Sequence, residues 1–468
     1  MRRVLISLAA LLYCAFAQAA GIDSLKSLDL GNFEITRIRE VKTPADLGLK
    51  KTGAWVAGKP VVCVEVSAKK SSDSRVKMNI ALPLREDWNK IYLAKGNGGL
   101  GNVTTAEQAY YDALLGYATS HNDLGTDDWK NSPDLKSVIA DFGHRAIYQT
   151  ALVSKKVIAE YYGEDPKYCY YSGGSTGGQE GLSLAERHPE LFDGIAVFFP
   201  VTNRTRLHTR IAYERKVLAP KAYFTPREIE KISDAIVAQN RGNVGEYPEK
   251  GYPFLKNPEN AKCDYSKLTF LTAEQLEVLK KIHDTVKNSH GEYITVGFVP
   301  SAELADGGKS LLKGFTGDWI YPMALGAAYS VPDVTFDGDL KKVEDLFAKD
   351  SNALPHLENF KKLGHKLIII QGKLDTVVPA QYAREYYDTV VSRNGGIEKT
   401  KDFARIFFVP GMWHGNMTNC NPLSYVRNWV EKGVAPQRID IGVRYKANLY
   451  QQKVDVYEEN RPCRINSR

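Results

Sequence analysis

Short apolar runs separated by turn residues dominate the first half of the chain. Val61-Val62-Cys63-Val64-Glu65-Val66 and Met78-Asn79-Ile80-Ala81-Leu82 are β-rich and predict strands between Pro60 and Leu84. Lys90–Ala94 predicts another strand, running into Lys95-Gly96-Asn97-Gly98-Gly99-Leu100-Gly101. Asp141–Tyr161 predicts a helix, with Ile147, Ala151 and Ile158 on one face and Ser154 interrupting the stripe. Tyr168–Ser172 then predicts a buried strand, Leu182–Arg187 a helix and Phe192–Phe199 the next strand. After Pro200 the alternation stops. Residues 203–332 carry helical patterns at Pro226–Gln239 and Thr272–Val286 and a Gly/Pro/Asn-rich loop at Arg241–Lys262. The strand pattern resumes at Lys366–Ile370 and Arg405–Val409, and Leu423–Glu431 predicts a closing helix. Strands alternating with helices define an α/β fold with a mostly parallel sheet. The expected organisation is a catalytic domain of residues 20–202 and 333–468, with residues 203–332 inserted as a lid.

Composition narrows the class. The chain has 468 residues, 43% hydrophobic and 25% charged, with ordinary Gly and Pro content, so collagen-like and disordered classes are excluded. The net charge of +7 is small for this length and no long Lys/Arg run exists, so neither a nucleic-acid nor a membrane partner is expected. Residues 1–19 read as a secretory leader: Arg2 and Arg3, an apolar run Val4–Phe16 too short to span a bilayer, and an Ala17-Gln18-Ala19 cleavage pattern. A secreted or periplasmic protein is expected. Beyond Cys14 the cysteines are Cys63, Cys169, Cys263, Cys420 and Cys463. Export permits disulfides, but the odd number leaves at least one thiol unpaired and the pairing open. Neither CxxC nor CxxH occurs, so no thiolate zinc site is expected. Oligomeric state is left open.

The chemistry concentrates at Gly173-Gly174-Ser175-Thr176-Gly177-Gly178, a G-x-S-x-G motif between a predicted strand and a predicted helix. Glycines around a serine permit the strained turn that exposes its hydroxyl. The backbone N–H of Thr176 at the helix start is a candidate oxyanion donor. A bare motif of this kind also fits an ordinary glycine-rich turn. A nucleophilic serine needs a base, and the base an orienting acid, in the chain order Ser, acid, His. Asp375 follows the Ile-rich strand, and His414 follows the last strand within Pro410-Gly411-Met412-Trp413-His414-Gly415. The other histidines lie within elements, in the insertion or in loops elsewhere. Gly98 and Gly99 follow an early strand, where this fold keeps its second oxyanion donor. A phosphate-cradling role for that loop is disfavoured, because no Walker-type lysine follows.

Several ordered blocks together resemble the tannase and feruloyl esterase family of secreted α/β-hydrolases with a large lid. They are Gly96-Asn97-Gly98-Gly99, Gly116–Ser120 with Asp123 and Gly125, Asp141–Ala146, Ser175–Gly178 with His188-Pro189 and Phe192–Ile195, Phe336–Leu340, Asp375, and Pro410–His414. The resemblance covers most of the chain after the leader. It implies a serine carboxylic-ester hydrolase that cleaves esters of aromatic (phenolic) acids through an acyl-enzyme, with no cofactor. The alternatives are an acyltransferase and a catalytically retired ligand-binding protein on the same fold. Two departures stand out. Family members carry a disulfide between the residue before the nucleophile and the residue after the histidine; here those positions are Gly174 and Gly415. Greater loop mobility, or a substitute clamp by Trp413, is expected. Family lids often bind calcium, but Ser233–Lys262 lacks closely spaced aspartates, so no metal is expected. Tyr213, Tyr223, Phe315, Trp319, Tyr321, Tyr329 and Trp413 are the aromatic candidates for gripping a substrate ring. The N-x-[ST] matches at Asn102, Asn203 and Asn416 are read as chance.

Overall fold

The computed structural model describes residues 21–47, 59–101, 106–218, 221, 223–245, 254–304, 308–313, 317–326, 329–445 and 448–458. The expected leader (1–19), Phe315, Cys463 and Asn102-Val103-Thr104 lie outside the described residues. The chain divides into two compact units.

The first unit comprises residues 1–172 and 190–194. Its strands are β1 (Phe33–Val41), β2 (Val61–Ala68), β3 (Lys77–Pro83), β4 (Ile91–Lys95), β5 (Ala118–Asn122) and most of β6 (Tyr168–Gly174). They follow one another in the order β1-β2-β3-β5-β4-β6. The β1–β2, β2–β3 and β3–β5 pairs are antiparallel, whereas β4 runs parallel to both β5 and β6. Apolar side chains fill β2, β3 and β4, as their sequence pattern requires. The predicted helix over 141–161 is present as Ala146–Tyr162, stopped by Gly163 in the left-handed conformation at φ 71°. Its expected first residues instead form a wider π-type turn, Asp141–Arg145. There the buried Asp141 accepts from Arg145 Nε (2.5 Å) and Ser74 Oγ (3.0 Å).

The second unit comprises residues 173–189 and 195–468. It carries β7 (Gly194–Phe198), β8 (Val286–Lys287), β9 (Tyr293–Thr295), β10 (Lys366–Gly372), β11 (Ala404–Val409), β12 (Met417–Thr418), β13 (Arg438–Tyr445) and β14 (Asn448–Asp455). The strands β7-β10-β11 are neighbours in that order, β10 and β11 pairing in parallel. The strands β12-β13-β14 form a separate antiparallel sheet. The described residues between 203 and 332 fall within this unit. Their helix Arg204–Leu218 is buried on nearly every side, including Arg204, His208, Arg210 and Glu214. Each of these charged or polar groups meets a partner: Arg210 lies 2.5 Å from Glu214, and His208 lies 3.3 Å from Asp318. Parallel strands with helices between them, a hydrolase-type turn after β6 and a late histidine loop after β11 make this an α/β-hydrolase fold.

Candidate active site

Ser175 sits between the end of β6 and the helix Thr176–Arg187, at φ 57° and ψ −117°. That conformation is costly for any residue other than glycine, about 1–3 kcal/mol, and the surroundings enforce it. The Ser175 N–H donates to Phe198 O at 3.0 Å, and the Ser175 carbonyl accepts from Gln179 N and Val201 N, both at 3.2 Å. Glycine at 178 lets the helix touch β7's exit: a Cβ there would stand 2.5 Å from Pro200 Cα. Thr176, fully buried, is the first residue of that helix, so its N–H belongs to the first turn. The positive end of the helix dipole lies there.

Arg204 supports this turn from the insertion. Its guanidinium, fully buried, donates to Gln179 Oε1 (2.8 Å) and Thr176 Oγ1 (3.0 Å). Burial pushes its pKa down to about 9, against the attraction of Glu180. No helical stripe in the sequence pointed to it.

Asp375 and His414 are joined directly. His414 Nδ1 lies 2.9 Å from Asp375 Oδ2. Asp375 Oδ1 accepts two backbone N–H bonds, from Val377 at 2.9 Å and Val378 at 2.8 Å. The carboxylate side chain is wholly buried, while the His414 side chain keeps 20% of its surface open. Because a carboxylate can only accept, Nδ1 carries the proton and Nε2 is left as a base. The two loops are also bonded through the main chain: Lys373 N donates to Val409 O (3.0 Å) and Leu374 N to Met412 O (2.9 Å). Asn416 anchors the histidine loop further. Its Oδ1 accepts from Trp413 N (2.9 Å) and its Nδ2 donates to Arg444 O (3.1 Å). A buried, doubly bonded amide is no glycan acceptor, consistent with reading that sequon as chance.

Aromatic rings pack around the histidine loop. Trp413 packs edge-on against Tyr445, with centroids 5.9 Å apart. Phe199 lies on His414, with ring centroids 4.4 Å apart. The same Phe199 ring fills the space beside Gly174: a Cβ at 174 would overlap Phe198 and come within 2.8 Å of Phe199 Cε2.

Gly98 and Gly99 belong to the first unit. Both are exposed, with open space where a Cβ would stand, and Gly99 has φ 58°. Their loop is braced within that unit. Gly96 N donates to Ser172 O (3.1 Å), Asn97 Nδ2 to Asn122 Oδ1 (3.4 Å) and Thr126 Oγ1 to Leu100 O (2.7 Å). His121 stands beneath it, where burial pushes its pKa down to about 4 against a hydrogen bond to the Gly96 backbone.

The aromatic candidates separate by position. Tyr321 is wholly buried and bonds Thr209 Oγ1 through its hydroxyl at 3.0 Å, so it packs the insertion's interior. Tyr329 bonds Asp318 through its hydroxyl. Tyr213 packs edge-on to Phe336 and bonds the Lys281 carbonyl. Tyr223 lies under the Lys221 ammonium. Trp319 alone of these reaches the nucleophile's surroundings: it is half-buried, edge-on to His208 at 4.7 Å and beneath the Arg204 guanidinium at 5.9 Å.

Among the described residues no group of three or more His, Cys, Asp or Glu side chains could hold a metal ion. The described part of Ser233–Lys262 does not fit a calcium cage; its Glu259 faces Lys373 and Arg384. Cys63, Cys169, Cys263 and Cys420 are free thiols. Burial pushes their pKa values up, to about 11 for Cys169 and about 12 for the other three, so none is a reactive thiolate. Among the described residues no helix is long and apolar enough to cross a membrane.

A strained serine after a parallel strand, with Asp375 bonded to His414 in the same unit, fits the α/β-hydrolase fold. The sequence profile described as Tannase and feruloyl esterase matches residues 60–334 and 327–458. The chain belongs to this family and is a carboxylic ester hydrolase. It is 26% identical to a probable feruloyl esterase of Arthroderma benhamiae, over 78% of this chain and 75% of that one. It is also 26% identical to an uncharacterized esterase of Xanthomonas campestris pv. campestris, over 93% and 86% respectively. The crystal structure of feruloyl esterase B from Aspergillus oryzae superimposes with a TM-score of 0.78 at 21% identity, covering 93% of this chain and 95% of that one. Tannin acyl hydrolase from Aspergillus niger gives 0.71 at 19% identity, covering 94% and 92%.

Proposed function

We propose that this protein hydrolyses esters of aromatic acids through an acyl-enzyme on Ser175, and that it does so after export through its N-terminal leader. The observation that carries the reading is the Asp375–His414 bond at 2.9 Å, with the second carboxylate oxygen fixed by two backbone donors. In this reading His414 Nε2 takes the Ser175 hydroxyl proton as Oγ attacks the ester carbonyl. The oxyanion is held by the Thr176 N–H. His414 then protonates the leaving alcohol, and the carbonyl re-forms as the acyl-enzyme. Water, giving its proton to the same nitrogen, releases the acid. Asp375 keeps the proton on Nδ1 throughout and balances the imidazolium. All bonds made and broken involve only the ester, water and these side chains.

The names of the relatives, feruloyl esterase and tannin acyl hydrolase, support an aromatic acyl group, and Trp319 beside Arg204 is the side chain proposed to meet it. A retired binding protein is disfavoured, since the strain at Ser175 has no return where no reaction occurs. An acyltransferase would use the same groups and differ only in the acceptor. The test is a panel of methyl ferulate, methyl gallate, a terephthalate monoester and a short aliphatic nitrophenyl ester, each with and without added alcohol. A higher kcat/KM for an aromatic acyl group, with free acid as product, supports the reading. Preference for the aliphatic ester, or ester exchange outrunning hydrolysis, contradicts it.

A further inference from the structure

Three aromatic and glycine positions around the catalytic histidine fit together in a way the triad does not require. Gly174 precedes the nucleophile, and the space its missing Cβ leaves is occupied by the rings of Phe198 and Phe199. The two rings meet edge-on, with centroids 5.1 Å apart. Phe199 then reaches His414 at 4.4 Å with the planes tilted by 55°. One ring therefore touches both the residue before Ser175 and the base that must take its proton. The backbone holds Phe199 in place. It has φ 39°, in the left-handed region that a phenylalanine rarely adopts, and its N–H donates to Ile370 O at 2.7 Å. Ile370 belongs to β10, the strand that leads to Asp375. Phe199 is 8% exposed, so its ring has little room to turn away.

Next in the chain after the histidine, Gly415 has φ 85° and open space where a Cβ would stand. The Asp375 bond fixes one nitrogen of the imidazole but still allows the ring to swing about that bond. A tilted ring contact against the buried Phe199 side chain restricts that freedom.

We propose that Phe199 is a positioning residue for catalysis: its ring wedges between Gly174 and His414 and sets the imidazole plane so that Nε2 addresses Ser175. The inference rests on the serine-hydrolase reading and deepens it. Orientation errors of this kind cost up to about 100-fold in rate without weakening substrate binding.

The test compares wild type with Phe199→Leu, Phe199→Ala and Phe199→Tyr. The readouts are kcat and KM on a nitrophenyl ester and the rate of Ser175 labelling by a fluorophosphonate. Leu and Ala are expected to lower kcat about 10- to 100-fold, to leave KM within about threefold and to slow labelling in step. Tyr, which keeps the ring, is expected to stay within about threefold of wild type. A merely structural role would lower melting temperature or yield while the folded enzyme kept wild-type kcat. Should Ala fail to fold, the Leu and Tyr pair decides. An active wild type with an equally active Phe199→Leu, or equal losses in Leu and Tyr, overturns this inference alone. A wild type that neither turns over ester nor labels overturns the hydrolase reading and this inference with it.

Discussion

Replacing Asp375 by Asn isolates the orienting role of the acid from its contribution to the fold. In the structure Oδ1 accepts from Val377 N and Val378 N, and Oδ2 accepts from His414 Nδ1. Two donors converge on one oxygen, so the amide of Asn must place its carbonyl there and turn its NH₂ toward the histidine. Nδ1 then becomes the acceptor and the proton moves to Nε2, where a base is needed. The expected loss in kcat is about 10⁴-fold, by analogy with other serine triads, equivalent to about 5 kcal/mol of transition-state stabilisation. Both turn hydrogen bonds survive, so circular dichroism and thermal unfolding should change little. Asp375→Ala, which strips the acceptor from two buried backbone donors, should instead unfold more readily by about 1–3 kcal/mol per lost partner. Initial rates on a nitrophenyl ester at neutral pH, beside melting curves, separate the two effects. A folded Asp375→Asn enzyme within about tenfold of wild type would refute the tautomer argument.

Asn416→Ala should loosen the histidine loop by removing the bonds to Trp413 N and Arg444 O; kcat should fall by about an order of magnitude, while KM holds, and unchanged kcat would show that the loop is held elsewhere. His121 gives a pH signature. Its pKa falls from 6.5 to about 4 on folding, so between those values the unfolded chain binds the proton and the native one does not. Stability should therefore decline as pH drops from 6.5 toward 4, by up to about 3 kcal/mol. Urea unfolding at pH 7 and pH 4.5 should show that decline in wild type and a smaller one in His121→Asn; identical declines would assign the effect to other groups.

The parts of the site that were legible in the sequence share one property: they punctuate strands. Ser175 ends β6, Asp375 follows β10 and His414 follows β11, and apolar runs bounded by glycines mark all three places. The helix start at Thr176 was legible from the motif although glycines at 177, 178 and 181 are poor helix formers, and the one at 178 makes room for Pro200. The helix Arg204–Leu218 was hidden. It is enclosed by protein, and its buried positions include paired charges, so no apolar stripe appears. β5 escaped because Ala118-Thr119-Ser120-His121-Asn122 is polar yet wholly buried. The contact of Phe199 on His414 was not legible, because the chain returns to the site from β7, and tertiary proximity of that kind leaves no periodic trace.

The central claim is that Ser175 is the nucleophile of an ester-hydrolysing triad. Mass spectrometry of the protein quenched during turnover of a slow aromatic ester tests it most directly. The account predicts one added acyl mass on the peptide bearing Ser175, absent from Ser175→Ala together with all turnover. Turnover that survives in Ser175→Ala, or an acyl group found on any other residue, would contradict it.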